Sequence, residues 1–326
     1  MVGIFKQKNP GNALLLLIYG LFIKFPMFLH PHQAVKQQGD NYLYHVIVDT
    51  LDPIGKNVSI FYPLLAFILL FTQATLLNRI SNSLKLFNRP NYLVAMSYLL
   101  VTSLMKEWNY FSAPLIINSL SIIAWYSMFN WYNSNKPKSL IFNTSALVGI
   151  LPLIYSPALT IIVLLFVALL VTRPFRITEW FVSLIGLATP YYFLFVVLYL
   201  SNKWDYHKLL TPVSFHFPQL PSSLWITGGI LFLVVPFLIG GYFVQDALNK
   251  MLIQVRKGWS LLLIFLIVTL LVIVVNPEKN YMHWLMMAVP ITAFHAAAYY
   301  YSTPRWLPLL LHWVIFAFVI MLQYTQ

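Results

Sequence analysis

The apolar residues of this chain fall into long continuous runs that are separated by short polar segments. A helix that crosses a bilayer needs about 20 apolar residues, within a range of about 17 to 25. Runs close to this length predict eleven spanning helices. They cover residues 12–29, 58–78, 91–105, 112–132, 140–155, 157–172, 177–200, 224–244, 260–275, 281–300 and 307–323.

Four of these runs are short for a span, namely 91–105, 140–155, 157–172 and 260–275. The second and third meet at Tyr155-Ser156-Pro157, where Pro157 has no amide hydrogen to donate, so 140–172 could instead form a re-entrant pair. The pattern predicts an all-α, polytopic helical membrane protein of about eleven transmembrane helices. Residues 1–326 then form a single integral membrane domain.

The composition supports this prediction, since 60% of the 326 residues are hydrophobic and only 9% are charged. Soluble domains carry roughly 25% charged residues, so a soluble enzyme and a disordered protein are both excluded. The runs are too long for the strands of an outer-membrane barrel, which alternate over about ten residues. The net charge of +12 lies in short loops, where it sets topology and meets lipid headgroups, so we expect no nucleic-acid partner.

The basic residues predict the orientation of the chain. With the amino terminus in the cytoplasm, the inside segments hold thirteen of the 20 lysines and arginines, including every arginine, and the outside segments hold six. The remaining one, Lys24, lies within the first span. This bias follows the positive-inside rule and predicts a multi-pass protein of the cell inner membrane. Six of the eight acids are outside, namely Asp40, Asp49, Asp52, Glu107, Asp205 and Glu278.

Two outer loops, 30–57 and 201–223, are long, and long loops on a scaffold of short ones often carry function. The first is expected to hold an interfacial amphipathic helix that Pro53 and Gly55 end. At 100° per residue, one polar stripe contains Asn41, His45, Asp49 and Asp52. The opposite side carries Tyr42, Leu43, Val46, Ile47 and Leu51. Asp40 is the expected N-cap, or else a carboxylate that takes a proton or binds a divalent cation.

Several basic residues are candidates for holding a lipid phosphate at the outer face. They are Lys24, His45, Lys203, His207 and Lys208. Lys24 could instead snorkel outward, and the residues of loop 201–223 could instead anchor the protein among headgroups beside an aromatic belt. Glu107 is interpreted as half of an interfacial ion pair with Lys106, which is slightly favoured over a functional role.

Other polar residues have structural interpretations that are favoured over functional ones. Glu179 is expected to pair with Arg173 or Arg176 at the inner interface. His295 and His312 lie within spans, where a single histidine usually forms a hydrogen bond between helices. The pair in His30-Pro31-His32 is a weak metal signal without further ligands.

The first outer loop resembles that of the GT-C class of membrane glycosyltransferases. The resemblance rests on the inside amino terminus, the long loop, and Gly39-Asp40 followed by Tyr42 or Tyr44. It implies transfer of a sugar from a polyprenyl-phosphate carrier at the outer face. It also implies that Asp40 is the catalytic base or a metal-associated carboxylate, with Glu107 as second acid. Asn41 stands where the family's motif often has a second acid, which weakens binding of a divalent cation.

The amino-terminal residues also resemble those of a multi-pass inner-membrane family of Bacteroidota. The similarity runs from Gly3-Ile4-Phe5-Lys6 to Asn9-Pro10-Gly11-Asn12, and it implies a compartment but no activity. From the whole chain we expect a membrane glycosyltransferase that uses membrane lipid and a polyprenyl-phosphate-linked sugar. One alternative is a non-enzymatic subunit of an envelope assembly or secretion complex, with protein partners. A second is a transporter or lipid flippase, which needs a polar path between the two faces.

Overall fold

The computed structural model describes residues 1–205, 215, 223–275, 280–304 and 306–325, and these residues form an all-helical fold. Helices α1 to α7 are Val2–Phe5, Gly11–Lys24, Pro26–Leu29, Tyr42–Gly55, Phe61–Ser83, Leu93–Val101 and Ala113–Asn130. Helices α8 to α14 are Pro137–Ile154, Ile161–Thr172, Ile177–Leu200, Leu224–Leu248, Ile253–Val274, Ala288–Tyr301 and Trp306–Thr325. Short 3₁₀ segments occupy Lys106–Asn109, Trp131–Asn133, Ser156–Thr160 and Met282–Met287.

Every predicted apolar run contains a helix, which confirms the prediction of an all-helical chain with membrane-type helices. Among the described residues, six helices are long and apolar enough to cross a membrane: α5, α8, α10, α11, α12 and α14. A count of eleven spans is not confirmed. Helix α6 illustrates the difference, because its 9 residues cover only about 14 Å at 1.5 Å per residue, against a hydrocarbon core of about 30 Å.

Two run boundaries differ from the prediction for local reasons. The run 91–105 ends as a helix at Val101, where the hydroxyls of Thr102 and Ser103 donate to the carbonyls of Tyr98 and Leu99 and so satisfy the last turn. The run at 260–275 is a full-length helix of 22 residues, because α12 starts eight positions before Leu261. Its first turns carry basic side chains, whose long stems place their charges toward the interface.

Buried helices lie at the centre of the bundle. All nine residues of α6 are buried, and so is α13 from Ala288 to Tyr299. A helix that is apolar on every side is expected in this position. Helices α10 and α11 are instead exposed along much of their length, with Ile185 and Leu238 each 60% accessible. Such apolar surface suits contact with lipid.

Glycines allow two helix pairs to approach closely. A Cβ built on Gly149 of α8 would lie 2.6 Å from the Leu187 carbonyl oxygen of α10, and one on Gly240 of α11 would lie 1.8 Å from the Phe294 carbonyl oxygen of α13. Backbones therefore touch at these positions. Small residues at helix contacts are the usual means of close packing in membrane proteins.

The first long loop is attached to the break between α8 and α9. The helix end at Ile154 leaves carbonyl groups without partners, and in an apolar setting such groups need donors. The Asn41 amide donates to the Ile154 carbonyl (2.9 Å), and its side chain donates to the Pro152 carbonyl (2.9 Å). Asp40 and Tyr155 form an isolated antiparallel bridge here. The loop is therefore held against the bundle over residues 39–41.

The first long loop contains a helix, α4, and two of its details differ from the prediction. Its N-cap is Asn41, whose Oδ1 accepts from the Tyr42 amide (2.7 Å), and not Asp40. Its buried side is centred on Tyr44 and Val48, while Val46 from the predicted apolar side is 38% accessible. The buried face is rotated because α4 packs against α5 and α8, and because Tyr44 stacks on Phe111 of the segment before α7.

Two of the structural interpretations are confirmed. Glu179 is 2% exposed and pairs with Arg173 at 2.9 Å, with Arg176 at 4.0 Å. His295 Nε2 lies 2.9 Å from the Leu233 carbonyl oxygen and so joins α13 to α11. His312 differs, because neither of its buried ring nitrogens has a hydrogen-bond partner within the described chain.

Candidate functional site at the predicted outer end

The turn between α6 and α7 positions the candidate site. This turn, Lys106–Asn109 followed by Tyr110, lies at the end of the bundle that the basic residues predict to be outside. Buried Trp108 anchors it by donating from Nε1 to the Tyr281 carbonyl (2.9 Å), and the Tyr281 amide donates to Glu107 Oε2 (3.2 Å). With Trp108 inserted in the core, the side chains on either side of it border solvent-sized spaces.

Three cavities adjoin around Tyr110, and we call them together the Tyr110 cleft. Their volumes are about 270, 240 and 280 Å³, and Tyr110 lines all three. Glu107 lines the first and second, Lys106 the first and third, and His32 the second and third. One acid and two basic residues therefore line neighbouring cavities that have Tyr110 in common.

Glu107 and Lys106 do not form the interfacial ion pair that the sequence slightly favoured, because the Glu107 carboxylate accepts from the Tyr281 amide instead. Burial raises the pKa of the Glu107 carboxyl above its usual value, and the hydrogen bond from Tyr281 opposes this shift. Burial lowers the pKa of Lys106. A cavity-lining carboxyl with a raised pKa is suited to accept a proton near neutral pH.

Basic side chains gather on the side of the cleft near α3. His30, His32 and Lys106 line its third cavity. The pKa of His32 is lowered by burial first and then by the charges of His30 and Lys106. His32 also packs on Tyr110 with ring centroids 4.1 Å apart. The local charge therefore favours an anionic ligand.

Lys24 lies directly behind this cavity and does not snorkel outward, since it is 0% exposed. Its Nζ donates to Asn109 Oδ1 (2.6 Å) and to Ser103 Oγ (3.0 Å). No carboxylate pairs with it within the described part of the chain. Asn109 in turn lines the third cavity, and its Nδ2 is buried with no hydrogen-bond partner there. Asn109 thus connects the buried cation to the cavity.

Asp40 lies beside the cleft but does not line it. It is 5% exposed, and its Oδ2 accepts from the Gln37 amide (2.8 Å). Gln37 itself lines the second cavity. Burial, and after it the charge of Asp40, raises the pKa of Tyr44. The role of Asp40 as the catalytic base stays a prediction, and its observed contact shapes the loop that walls the cleft.

Two further predicted phosphate ligands, His45 and Lys203, do not line the cleft. His45 on α4 lies near the Lys36–Asp49 ion pair, and its pKa is lowered by burial and by Lys36, against the effect of Asp49. Lys203 is exposed just after α10. His207 and Lys208 lie outside the described residues.

The sequence did not predict that Asn109, Tyr110 and the His30–His32 pair belong to one surface that favours an anion. The pair suggested only a metal, and Tyr110 only the start of a span. The available signal was the stretch Lys106–Tyr110, which places an acid, a base and an amide within five residues between two apolar runs.

The residues present do not fit a divalent cation held by the protein alone. Over the described residues, no three His, Cys, Asp or Glu side chains are grouped as metal ligands. The chemistry of the cleft is therefore derived from its acid, its basic groups and its aromatic ring.

No known protein family, curated protein or solved structure matches this chain. The function is therefore argued from the geometry of the Tyr110 cleft.

Proposed function

We propose that the protein is a multi-pass glycosyltransferase of the cell inner membrane, with a cytoplasmic amino terminus. It moves a sugar from a polyprenyl-phosphate carrier to an acceptor hydroxyl in the Tyr110 cleft, at the outer face. One observation carries this proposal: the Glu107 carboxyl, Lys106 and His32 line adjoining cavities without forming ion pairs with one another, and Lys24 is buried behind Asn109 at the wall of one of them.

The basic side of the cleft supports binding of the carrier phosphate. Lysine acts on a phosphate as a point charge and histidine as a hydrogen-bond donor. Lys106 and His32 provide these groups at the cavity wall, and Asn109 Nδ2 provides a further unused donor. Lys24 in its protonated form adds positive charge behind Asn109, in a medium that screens charge weakly. Such preorganised charge stabilises a departing phosphate.

The lipid tail of the carrier has an apolar surface next to this site. Met27 and Pro26 line the third cavity from α3. On the neighbouring surface, Phe22 and Phe25 are 54% and 49% exposed, and Tyr324 of α14 lies against Phe22. A polyprenyl chain in the bilayer can lie along these rings while its phosphate enters the cleft.

In the proposed reaction, Glu107 accepts the proton of the acceptor hydroxyl. The hydroxyl oxygen bonds to the anomeric carbon of the sugar as the bond from that carbon to the phosphate oxygen breaks. The electron pair of the broken bond stays on the phosphate oxygen, which leaves as polyprenyl phosphate. The ring of Tyr110, which lies between the acid and the basic side of the cleft, stacks on the sugar. Asp40 remains the alternative base, on the resemblance of its loop.

Of the two alternatives, a transporter is less well supported. The residues that line the cavity at the predicted inner end share no member with the Tyr110 cleft. A non-enzymatic subunit gives no reason for Lys24 to be buried without an acid, at a cost that membrane proteins usually accept for function. Protein partners are compatible with either role.

The test is turnover by purified protein in liposomes with a panel of synthetic polyprenyl-phosphate hexoses, radiolabelled in the sugar. Glu107→Gln removes the base while keeping the shape of the side chain, so turnover should fall roughly 10²- to 10⁴-fold. The affinity for polyprenyl phosphate should change little. The control is Asp246→Asn, which replaces an exposed acid near the carboxyl end of α11. This variant should behave as wild type.

Three results would count against the proposal in different ways. If the wild-type protein turned over no donor of the panel, the transferase proposal would fail. If Glu107→Gln kept full turnover, Glu107 would not be the base. If Asp40→Asn alone abolished turnover without lowering the unfolding temperature, the base would be Asp40, as the resemblance implies.

A further inference from the structure

A second basic cavity, of about 510 Å³, lies at the predicted inner end and plays no part in the proposed reaction. We call it the inner cavity. It is bounded by the start of α2, by one face of α5 and by the segment 90–92. Lys8 and Arg79 line it from two different segments, and no acid is among its lining residues. Neither cation forms an ion pair within the described residues.

The floor of the inner cavity is fixed by hydrogen bonds. The side-chain amides of Asn78 and Asn82 both donate to the Asn91 carbonyl, at 3.0 and 2.9 Å. Asn82 Oδ1 accepts from the Asn91 amide (3.1 Å), and the Tyr92 amide donates to the Phe5 carbonyl (2.7 Å). The polar groups of the floor are therefore used internally, and the cavity is preformed. What remains for a ligand is the charge of Lys8 and Arg79.

The surroundings of the inner cavity indicate an amphiphilic ligand. Thr75 of α5 lines it, and the next turn of α5 toward the middle of the bundle carries Phe71 and Thr72, followed by Ile68, which is 46% exposed. Two cations thus stand at the end of a strip of α5 that carries two threonines and then the exposed apolar side chain of Ile68. Basic pockets between membrane helices on the cytoplasmic side bind the headgroups of anionic lipids in this way.

We infer that the inner cavity is a binding site for the phosphate of an anionic glycerophospholipid of the cytoplasmic leaflet. The phosphate lies between Arg79, which can form two parallel hydrogen bonds with it, and Lys8, which contributes a point charge. The acyl chains lie along Ile68 and Phe71. This inference does not depend on the transferase proposal, because it uses none of the residues of the Tyr110 cleft.

The experiment is native mass spectrometry of the full, delipidated protein in detergent, titrated with phosphatidylglycerol, with phosphatidylcholine, or with inorganic phosphate. The test variant is Lys8→Gln with Arg79→Gln. The matched control is Lys136→Gln with Lys138→Gln, which removes the same charge from the same predicted face at exposed positions outside the cavity. Unfolding temperatures confirm that each variant is folded.

We expect the first phosphatidylglycerol to bind the test variant roughly thirtyfold more weakly than the wild type, since each of the two removed cations contributes about 1 kcal/mol near a membrane surface. The control variant and a charge-keeping variant, Lys8→Arg with Arg79→Lys, should bind nearly as the wild type. The inference is overturned if test and control variants lose affinity equally, or if phosphatidylcholine binds as tightly. Equal occupancy by inorganic phosphate would overturn the lipid assignment in favour of a soluble phosphate.

Discussion

Lys24 is the residue whose position most needs explaining. Lys24 is the last residue of α2 and is fully buried, and its ammonium group gains only two neutral hydrogen-bond partners, Ser103 and Asn109. Removing a lysine from water in this way is costly. A stability role would be served as well by an apolar side chain, since isolated buried charges are seldom stabilising. Binding of an anion in the adjoining cavity would explain why the cost of burying Lys24 is accepted.

Glu107 and Lys106 predict a bell-shaped pH dependence of turnover. Glu107 works as a base only when deprotonated, and its pKa is raised, so activity should be lost as the pH falls, with a midpoint above the ordinary glutamate value of about 4.3. Lys106 holds phosphate only when it is protonated. Because its pKa is lowered, activity should fall again as the pH rises, with a midpoint below the usual lysine pKa of about 10.4. A pH profile of kcat/KM in liposomes measures both limbs.

Lys106→Arg separates the two groups. Arginine stays protonated across this range, so the alkaline limb should disappear while the acid limb keeps its midpoint. An unchanged alkaline limb would assign it to another group. An acid limb at or below pH 4.3 would contradict the role given to Glu107.

At the scale of single residues, the sequence could predict the charged candidates but not the residues that lie next to them in the fold. Glu107 and Lys24 were identifiable because charges are rare in apolar runs and because the topology rule left them unexplained. Asn109 and Tyr110 were not, since polar and aromatic residues at a span end usually meet headgroups. Their placement depends on Trp108 bonding to Tyr281, 173 positions away.

Helix-helix contacts rely on glycine at positions that no periodicity shows. Gly240→Ala would place a methyl group within 1.8 Å of the Phe294 carbonyl oxygen, which is backbone and cannot rotate away. Overpacking of this kind costs roughly 1 to 3 kcal/mol. We expect a clearly lower unfolding temperature in detergent for this variant.

The neighbouring Gly241 offers the matched control, because a Cβ there meets nothing within 4 Å. Gly241→Ala should leave the unfolding temperature unchanged or raise it, since alanine favours helix by about 1 kcal/mol over glycine. Equal losses in the two variants would mean that the α11–α13 contact does not limit stability.

At the scale of elements, apolar run length predicted where helices lie but not how they end or turn. Helix α6 stops early because its own threonine and serine hydroxyls complete the last turn. Helix α4 turns Tyr44 and Val48 inward because α5 and α8 lie on that side. Both outcomes depend on hydrogen bonds and on neighbouring helices. The periodicity of hydrophobic residues gives no information about either.

At the scale of the whole molecule, the distribution of charge and the position of the cavities agree. The residues of the Tyr110 cleft come from segments predicted outside, and those of the inner cavity come from segments predicted inside. The two ends offer different surroundings for an anion: one has an unpaired carboxyl beside its cations, and the other has cations only. This difference separates a site proposed for reaction from one proposed for lipid binding.

The most direct test is photolabelling of the protein in liposomes by a polyprenyl phosphate that carries a diazirine near its phosphate. We predict that the label maps to peptides containing residues 26–32 and 106–110, that polyprenyl phosphate competes while polyprenol does not, and that Lys24→Met lowers labelling several-fold. Labelling confined to the lipid-exposed faces of α10 and α11, or equal competition by polyprenol, would contradict a carrier-phosphate site in the Tyr110 cleft.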